Sequence, residues 1–195
     1  MRDAQKTKQS IIKAASILFN TKGYKATSLS DITKATELTK GAIYRHFADK
    51  SDLEKESLTY MCNILRLDLR ERIKSQENTQ AKLNTIMAYF KEYSVTPPFI
   101  GGCPLMNAAI ESDDTDPKLK AVAKTIFLSL HETIVTLLEN GKKHGDVRSS
   151  FDSDGFASMM IGALEGGVMM MKVCDNSQHL RSVINYIQKE IDHLK

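Results

Sequence analysis

Apolar residues along this chain recur at intervals of three and four, which places them on one face of an α-helix. The first run includes Ile11, Ala15 and Phe19 and predicts an amphipathic helix from about Gln5 to Lys22. No segment shows the sustained alternation of apolar and polar residues that is typical of a strand. The pattern therefore predicts an all-α protein with about nine helices.

Capping residues and helix breakers divide the rest of the chain. Two of the first three predicted helices are shorter than an isolated helix that persists in water, so these three must pack together as a small head. We therefore predict one domain over residues 1–50 and a second over residues 51–195. The remaining predicted helices run from Thr27 or Ser28 to about Thr36, from Thr39 for six or seven residues, from Asp49 to about Ser75, from Ala81 to Tyr93, from Pro104 to Ser112, from Asp116 to Gly141 or Gly145, from Asp152 to Val173, and from Gln178 to Leu194.

Positive charge is concentrated in the head. The chain has 27 Lys and Arg against 24 Asp and Glu. Residues 1–50 hold ten of the basic and four of the acidic residues, which leaves 17 and 20 for the remainder. A basic head on a mildly acidic body indicates an anion-binding head, and a solvated surface is the plain alternative.

The segment from Thr39 to Leu53 combines a helix start with small and basic residues. Free amides and the positive dipole end of a helix attract phosphate. Gly41 and Ala42 would let the helix approach DNA closely, while Ile43 and Phe47 would face the core of the head. Tyr44 and Phe47 could instead both be core aromatics, and Lys50 a solvated side chain. The side chains able to contact phosphate oxygens are Thr39, Lys40, Tyr44, His46 and Lys50.

The run GYKATSLSDITKATELTKGAIYRHFADKSDL, residues 23–53, resembles the tetracycline-repressor-like (TetR) family of transcription regulators. The resemblance implies a helix-turn-helix whose second helix lies in the major groove. It also implies that Thr39, Tyr44, His46 and Lys50 contact phosphate, with Thr27 and Ser28 approaching the backbone from the preceding helix. Base contacts would come from Lys40, Ala42 and Arg45, with Arg45 suited to guanine. The chain departs from the family pattern at Thr33 and at the turn, which reads Thr36-Glu37.

The body carries no catalytic signature. His131-Glu132 begins like a zinc-protease motif, but Val135 stands where the second histidine is required. Three widely spaced cysteines suggest neither disulfides nor a metal knuckle. We therefore predict no enzyme activity, no cofactor and no metal.

A ridge of small residues marks the helix predicted from Asp152 to Val173. Ser158, Gly162 and Gly166 fall four apart, which lets another helix pack closely. In the resemblance, the last two long helices form a four-helix bundle across a two-fold axis, and a core helix without a partner is the alternative. The predicted dimer interface consists of Ser158, Gly162, Gly166, Met169, Ile184 and Ile187.

The body would also bind an effector. Its predicted pocket is mainly apolar, which favours a small hydrophobic compound, although the same residues would serve as plain core. Cys103 precedes Pro104 and would therefore lie at the N-cap of a helix, where the thiolate is favoured over the thiol. This position allows two interpretations. Cys103 could sense electrophiles or oxidants, or it could be a small residue that fills the start of the helix. The predicted pocket residues are Met61, Leu65, Met87, Phe90, Tyr93, Cys103, Phe127, Leu130 and Met160.

These features predict a dimeric repressor that occupies a palindromic operator on double-stranded DNA and is released by a small effector. A helical scaffold protein whose head binds another acidic partner is the second class. The apolar stretch from Phe156 to Met171 is interrupted by Glu165 and is predicted to be too short for a membrane span. We expect a cytoplasmic protein with no membrane partner.

Overall fold

The computed structural model describes residues 2–195, with side chains from residue 4 onward. This part of the chain contains nine α-helices and no strand. The predicted all-α fold is confirmed. The helices are α1 (Arg2–Lys22), α2 (Leu29–Thr36), α3 (Lys40–Tyr44), α4 (Lys50–Lys74), α5 (Thr79–Tyr93), α6 (Pro104–Ser112), α7 (Pro117–His144), α8 (Ser153–Cys174) and α9 (Gln178–Asp192).

The helices form two compact units, each described here by itself. The first unit runs to Ile64 and resumes over Phe99–Ile126, so it holds α1 to α3, more than half of α4, all of α6 and the start of α7. The second comprises Leu65–Pro98 and Phe127–Lys195. The boundary predicted after residue 50 falls inside the first unit.

The core of the first unit is built on the apolar stripe of α1. Ile11, Ala15 and Phe19 have no exposed surface, and they share one cluster with Ile32 of α2 and Ile43 of α3. The three helices thereby bury one apolar face each, which is the packing that the short lengths of α2 and α3 require.

In the second unit, α9 packs against both α8 and α5. Gly167 makes the approach of α9 to α8 possible, because a Cβ at this position would lie 2.8 Å from a side-chain atom of Leu180. Ile184 and Ile187 of α9 are buried in the same region. The apolar face of α9 is therefore buried within the chain itself.

Helix ends differ from the predictions by a few residues. The α3 helix has five residues because Thr39 is its N-cap and the amides of His46 and Phe47 both bond to the carbonyl of Ile43, which closes the last turn. The α5 helix begins two residues early because Asn78 caps it through the amide of Ala81.

Two helices, α7 and α8, are long and apolar enough to cross a membrane by length and composition alone. This corrects the prediction that the stretch within α8 is too short. Length and composition are weak evidence, because core helices of soluble proteins meet the same criterion. In this chain Phe156, Ile161 and Val168 of α8 are buried.

We predict that Phe19→Ala lowers the free energy of unfolding by about 3–5 kcal/mol, because the ring is fully buried and stacks on Tyr24 with centroids 5.0 Å apart. Urea unfolding followed by circular dichroism measures the loss. Ile17→Ala on the same helix is the control, since Ile17 is 47% exposed and should cost under about 1 kcal/mol. Equal losses in the two variants would contradict this core.

Candidate nucleic-acid interface

A reciprocal cap fixes the start of α2. The Ser28 hydroxyl accepts the amide of Asp31 at 3.1 Å, and the Asp31 carboxylate accepts the amide of Ser28 at 2.8 Å. Lys22 donates to the same carboxylate at 2.9 Å. The hydrogen bond from the Ser28 side chain, followed by that from Lys22, holds the pKa of Asp31 well below its usual range. The cap is therefore at full strength above the ordinary carboxylate pKa of about 4 and weakens as the pH falls below it.

The turn between α2 and α3 passes through a left-handed residue. Glu37 has φ 56° and ψ 24°, a conformation that favours glycine, and its side chain is exposed. The Thr36 hydroxyl donates to the carbonyl of Ile32 at 2.7 Å and closes the last turn of α2. The departure of this sequence at Thr36-Glu37 is therefore accommodated by backbone strain at Glu37. The other departure, Thr33, lies half-buried on α2, and its hydroxyl donates to the carbonyl of Ser30 at 2.9 Å.

The α3 helix exposes one face and buries the other. The Thr39 hydroxyl accepts the amide of Ala42 at 3.2 Å and caps the helix. Ile43 and Phe47 are 1% and 2% exposed, so they fasten the helix to the core. Most of the predicted DNA-binding residues share the opposite surface, where Thr39, Lys40, Gly41, Tyr44 and Arg45 are exposed and Ala42 and His46 are half-buried.

Lys50, which is predicted to contact phosphate, makes contacts within the head in this structure. Its ammonium donates to the carbonyl of Tyr24 at 2.6 Å, pairs with Glu54 at 3.1 Å and lies 5.9 Å from the centroid of the Phe19 ring. These three contacts occupy the ammonium group within the head. The spacing of Lys50 and Glu54, four apart on one helix, was the available sequence signal.

The structure also contradicts the prediction that the Thr27 side chain approaches the DNA backbone. It has no exposed surface, and its hydroxyl donates to the carbonyl of Gly23 at 2.7 Å. Ser28 is exposed but its hydroxyl donates to Asp31 at 2.6 Å. Lys25 and Lys34 are among the exposed lysines of the head that lie outside the predicted set, and only the overall positive charge of the head pointed to them.

The predicted effector-pocket residues divide between the two units. Met61 and Cys103 belong to the first unit, and the other seven belong to the second. Neither of two surface cavities, of about 550 Å³ beside Lys82 and about 210 Å³ beside Tyr24, is lined by any of them. Buried members are Met61, Met87, Tyr93 and Met160, half-buried members are Leu65, Phe90, Cys103 and Leu130, and Phe127 is 38% exposed.

Cys103 occupies the N-cap of α6 with Pro104 at the first helical position, as the sequence predicts. Its side chain makes no capping hydrogen bond and is half-buried. Among the described residues, no group of three or more His, Cys, Asp or Glu side chains is placed to hold a metal ion.

Some residues of the predicted dimer surface are exposed in this chain and others are buried. Ser158, Gly162 and Met169 are exposed on α8, and Gly166 is half-exposed. Ile184 and Ile187 are a correction, since they are 2% and 1% exposed within this chain and cannot reach a partner. Other exposed large apolar side chains are Met159 and Val173 on α8 and Tyr186 on α9.

Comparison with known proteins matches residues 11–56 to the family described as bacterial regulatory proteins, tetR family, and residues 79–187 to the tetracyclin repressor-like C-terminal domain. The HTH-type transcriptional regulator AcrR of Shigella flexneri is 40% identical over 96 residues, which cover 49% of this chain and 45% of that protein. The HTH-type transcriptional repressor DhaR of Mycobacterium sp. (strain GP1) is 22% identical over 92% of this chain and 89% of its own length. A crystal structure of a TetR transcriptional regulator from Chloroflexus aurantiacus superposes with a TM-score of 0.94, at 34% identity over 98% of this chain and 97% of that one.

We predict that Glu37→Gly raises the free energy of unfolding by about 0.5–1 kcal/mol, because glycine adopts the left-handed conformation without the steric cost that Glu37 carries. Glu37→Gln is the matched control, since it removes the charge and keeps the strained backbone. Thermal unfolding of the two variants separates backbone from charge. A gain in Glu37→Gln equal to that in Glu37→Gly would show that charge, and not strain, is responsible.

Proposed function

The chain belongs to the TetR family of bacterial regulatory proteins, and on this premise we propose that it is a repressor that binds a palindromic operator as a dimer. Proteins of this family are transcriptional regulators and not enzymes. The observation that carries the proposal is the exposed face of α3, where Lys40, Tyr44 and Arg45 lie opposite the buried pair Ile43 and Phe47.

The chemistry of that face suits duplex DNA. Gly41 is open on its outer side, since a Cβ there would meet only the Thr39 hydroxyl oxygen at 4.0 Å. The helix can therefore lie close to base edges in the major groove, with Ala42 facing a base and Arg45 offering its two-pronged guanidinium to guanine. Lys40 and the Tyr44 hydroxyl would contact the flanking phosphates or base edges.

Selection of random duplexes by the purified protein tests the function. We expect recovery of an inverted repeat whose half-sites lie about one helical turn apart, because two copies of α3 related by a two-fold axis read the same sequence on opposite strands. Binding should also fall steeply with salt. Salt-sensitive binding with no preference for any duplex would instead favour a scaffold protein with another acidic partner.

We predict distinct effects for three basic residues of the head. Arg45→Ala should cost about 1–3 kcal/mol of operator binding and relax the preference at one base pair of each half-site. Lys40→Ala should weaken binding and lower the slope of log affinity against log salt by about one per copy. Fluorescence anisotropy over a salt series measures both.

Lys50→Ala is the matched comparison within the head. Because its ammonium bonds to the Tyr24 carbonyl and Glu54, we expect lower stability and an unchanged salt slope. A drop in slope equal to that of Lys40→Ala would show that Lys50 turns outward to phosphate.

The dimer is proposed to form through the exposed face of α8. A Cβ at Gly162 or Gly166 would meet no atom of this chain within 4 Å, so nothing in the chain itself explains the two glycines. Close approach of α8 from a second copy would explain both, and the exposed apolar side chains Met159, Met169 and Val173 supply area to bury.

We predict that Gly162→Arg converts the dimer to a monomer while the free energy of unfolding of the monomer changes little, because the added side chain meets open space. Gly162→Ala is the control and should stabilise the helix by about 1 kcal/mol. Sedimentation gives the oligomeric state. A Gly162→Arg protein that remains fully dimeric would exclude this face.

The effector is proposed to be a small, mainly apolar compound, and the predicted pocket residues that lie together in the second unit are proposed to bind it. They are Leu65, Met87, Phe90, Tyr93, Phe127, Leu130 and Met160. Support for this proposal is their composition, since all but Tyr93 are apolar and the Tyr93 hydroxyl can make one polar contact. The alternative, a response to electrophiles or oxidants, is supported only by the position of Cys103 at the N-cap of α6. As a regulator of bacterial genes the protein would act in the cytoplasm.

A further inference from the structure

The cavity of about 210 Å³ beside Tyr24 is lined by more negative than positive charge, and every residue that lines it belongs to the first unit. Its three carboxylates come from different parts of the chain: Glu54 from α4, Glu111 from α6, and Asp116 from the position just before α7. Two ammonium groups accompany them, since Lys25 also lines the cavity and Lys50 pairs with Glu54 at 3.1 Å. One negative charge is therefore left without a counter-charge.

The Glu54 carboxylate makes this excess of charge costly, because Glu54 is only 7% exposed. Burial raises the pKa of this carboxyl, and the charges of Asp116 and Glu111 raise it further, while Lys50 acts in the opposite direction. The Lys50 ammonium is shared, since it also donates to the carbonyl of Tyr24 at 2.6 Å. A further positive charge in the cavity would therefore stabilise all three carboxylates.

The Tyr24 hydroxyl is a buried polar group at the same cavity. Tyr24 is 3% exposed, and its hydroxyl makes no hydrogen bond to any residue that the structure describes. Burial, followed by the charges of Cys62, Glu54 and Glu111, raises the pKa of this hydroxyl, so the group stays protonated and lies near the carboxylates. Because buried hydroxyls are nearly always hydrogen-bonded, this oxygen is suited to accept from a donor bound in the cavity.

The acceptors of the cavity suit an ammonium group better than a metal ion. Glu111 already accepts two backbone amides of the turn before α2, and Asp116 accepts two at the start of α7. These bonds fix both carboxylates, and within the described part of the chain no three His, Cys, Asp or Glu side chains are placed around one metal ion. An ammonium has three N–H donors that can reach separate acceptors. Leu119 and the Tyr24 ring offer apolar surface to a short alkyl stem.

We propose that this cavity binds a small organic cation, a primary ammonium on a short alkyl stem, through the carboxylates of Glu54 and Asp116 and the hydroxyl of Tyr24. The site belongs to the first unit, whereas the residues proposed to bind the apolar effector belong to the second. Binding of the cation does not depend on the proposed operator binding.

Calorimetric titration of the full-length protein with n-butylammonium chloride tests the proposal. We expect saturable binding, and the same ligand should raise the midpoint of thermal unfolding, because it binds the folded chain alone. Butanol, which has the same stem and no charge, should not bind. Absence of saturable n-butylammonium binding would overturn the proposal, and displacement of the ligand by an equal concentration of magnesium ions would assign the cavity to a metal instead.

Tyr24→Phe tests whether the ligand lies in this cavity. The change removes only the hydroxyl, and the ring can still stack on Phe19, so we expect the fold to be retained. Affinity for n-butylammonium should fall about tenfold or more, because a hydrogen bond from a charged donor is lost. Tyr186→Phe is the matched control, since Tyr186 is 65% exposed on α9 and should bind the ligand as the parent does.

Asp116→Asn tests the charge of the site. Asparagine can still cap α7 through its side-chain oxygen, so the loss is mainly one negative charge. Affinity should again fall about tenfold, because a charge-assisted hydrogen bond becomes a neutral one. The control is Asp114→Asn, an exposed position in the same loop that does not line the cavity. Parent-like affinity in either Tyr24→Phe or Asp116→Asn would overturn the assigned site, and Tyr24→Phe alone decides if Asp116→Asn fails to fold.

Discussion

The burial of Ile43 and Phe47 determines what the head of this protein can present to a partner. A helix of five residues has too few hydrogen bonds to hold its own orientation. The two apolar side chains, four apart, fix its rotation against the cluster that includes Phe19 and Ile32. Lys40, Gly41, Tyr44 and Arg45 are consequently left on the outside. The chemistry of the exposed face thus follows from packing on the inside.

Positive charge in the head serves two different purposes. Lys40 and Arg45 remain exposed, while Lys50 forms an ion pair with Glu54 within the head. Burial raises the pKa of the Glu54 carboxyl, and the hydrogen bond and positive charge of Lys50 act on that pKa in the opposite direction. A count of basic residues overstates the charge available to DNA for this reason.

Most of the fold was predictable because helical periodicity and capping residues are local properties. The start and end of α6 and the caps at Ser28 and Thr39 follow from neighbouring residues alone. The side chains that were assigned incorrectly are those whose neighbours in space lie far away along the chain. Ile184 and Ile187 look like any apolar stripe until α5 and α8 cover them.

Glu111 shows most clearly that contacts with distant parts of the chain cannot be predicted from local sequence. Its partners lie 86 and 87 positions earlier, and nothing near it in the sequence marks it as more than a surface carboxylate. The direction of Lys50 depends likewise on a carbonyl 26 positions away.

A crystal structure of the chain bound to its selected duplex tests the central claim most directly. The account predicts Arg45 and Ala42 against base edges in the major groove, Lys40 and Tyr44 on the flanking phosphates or base edges, and Lys50 still on the carbonyl of Tyr24. Duplex seated on another surface of the head, with the exposed face of α3 facing solvent, would contradict it.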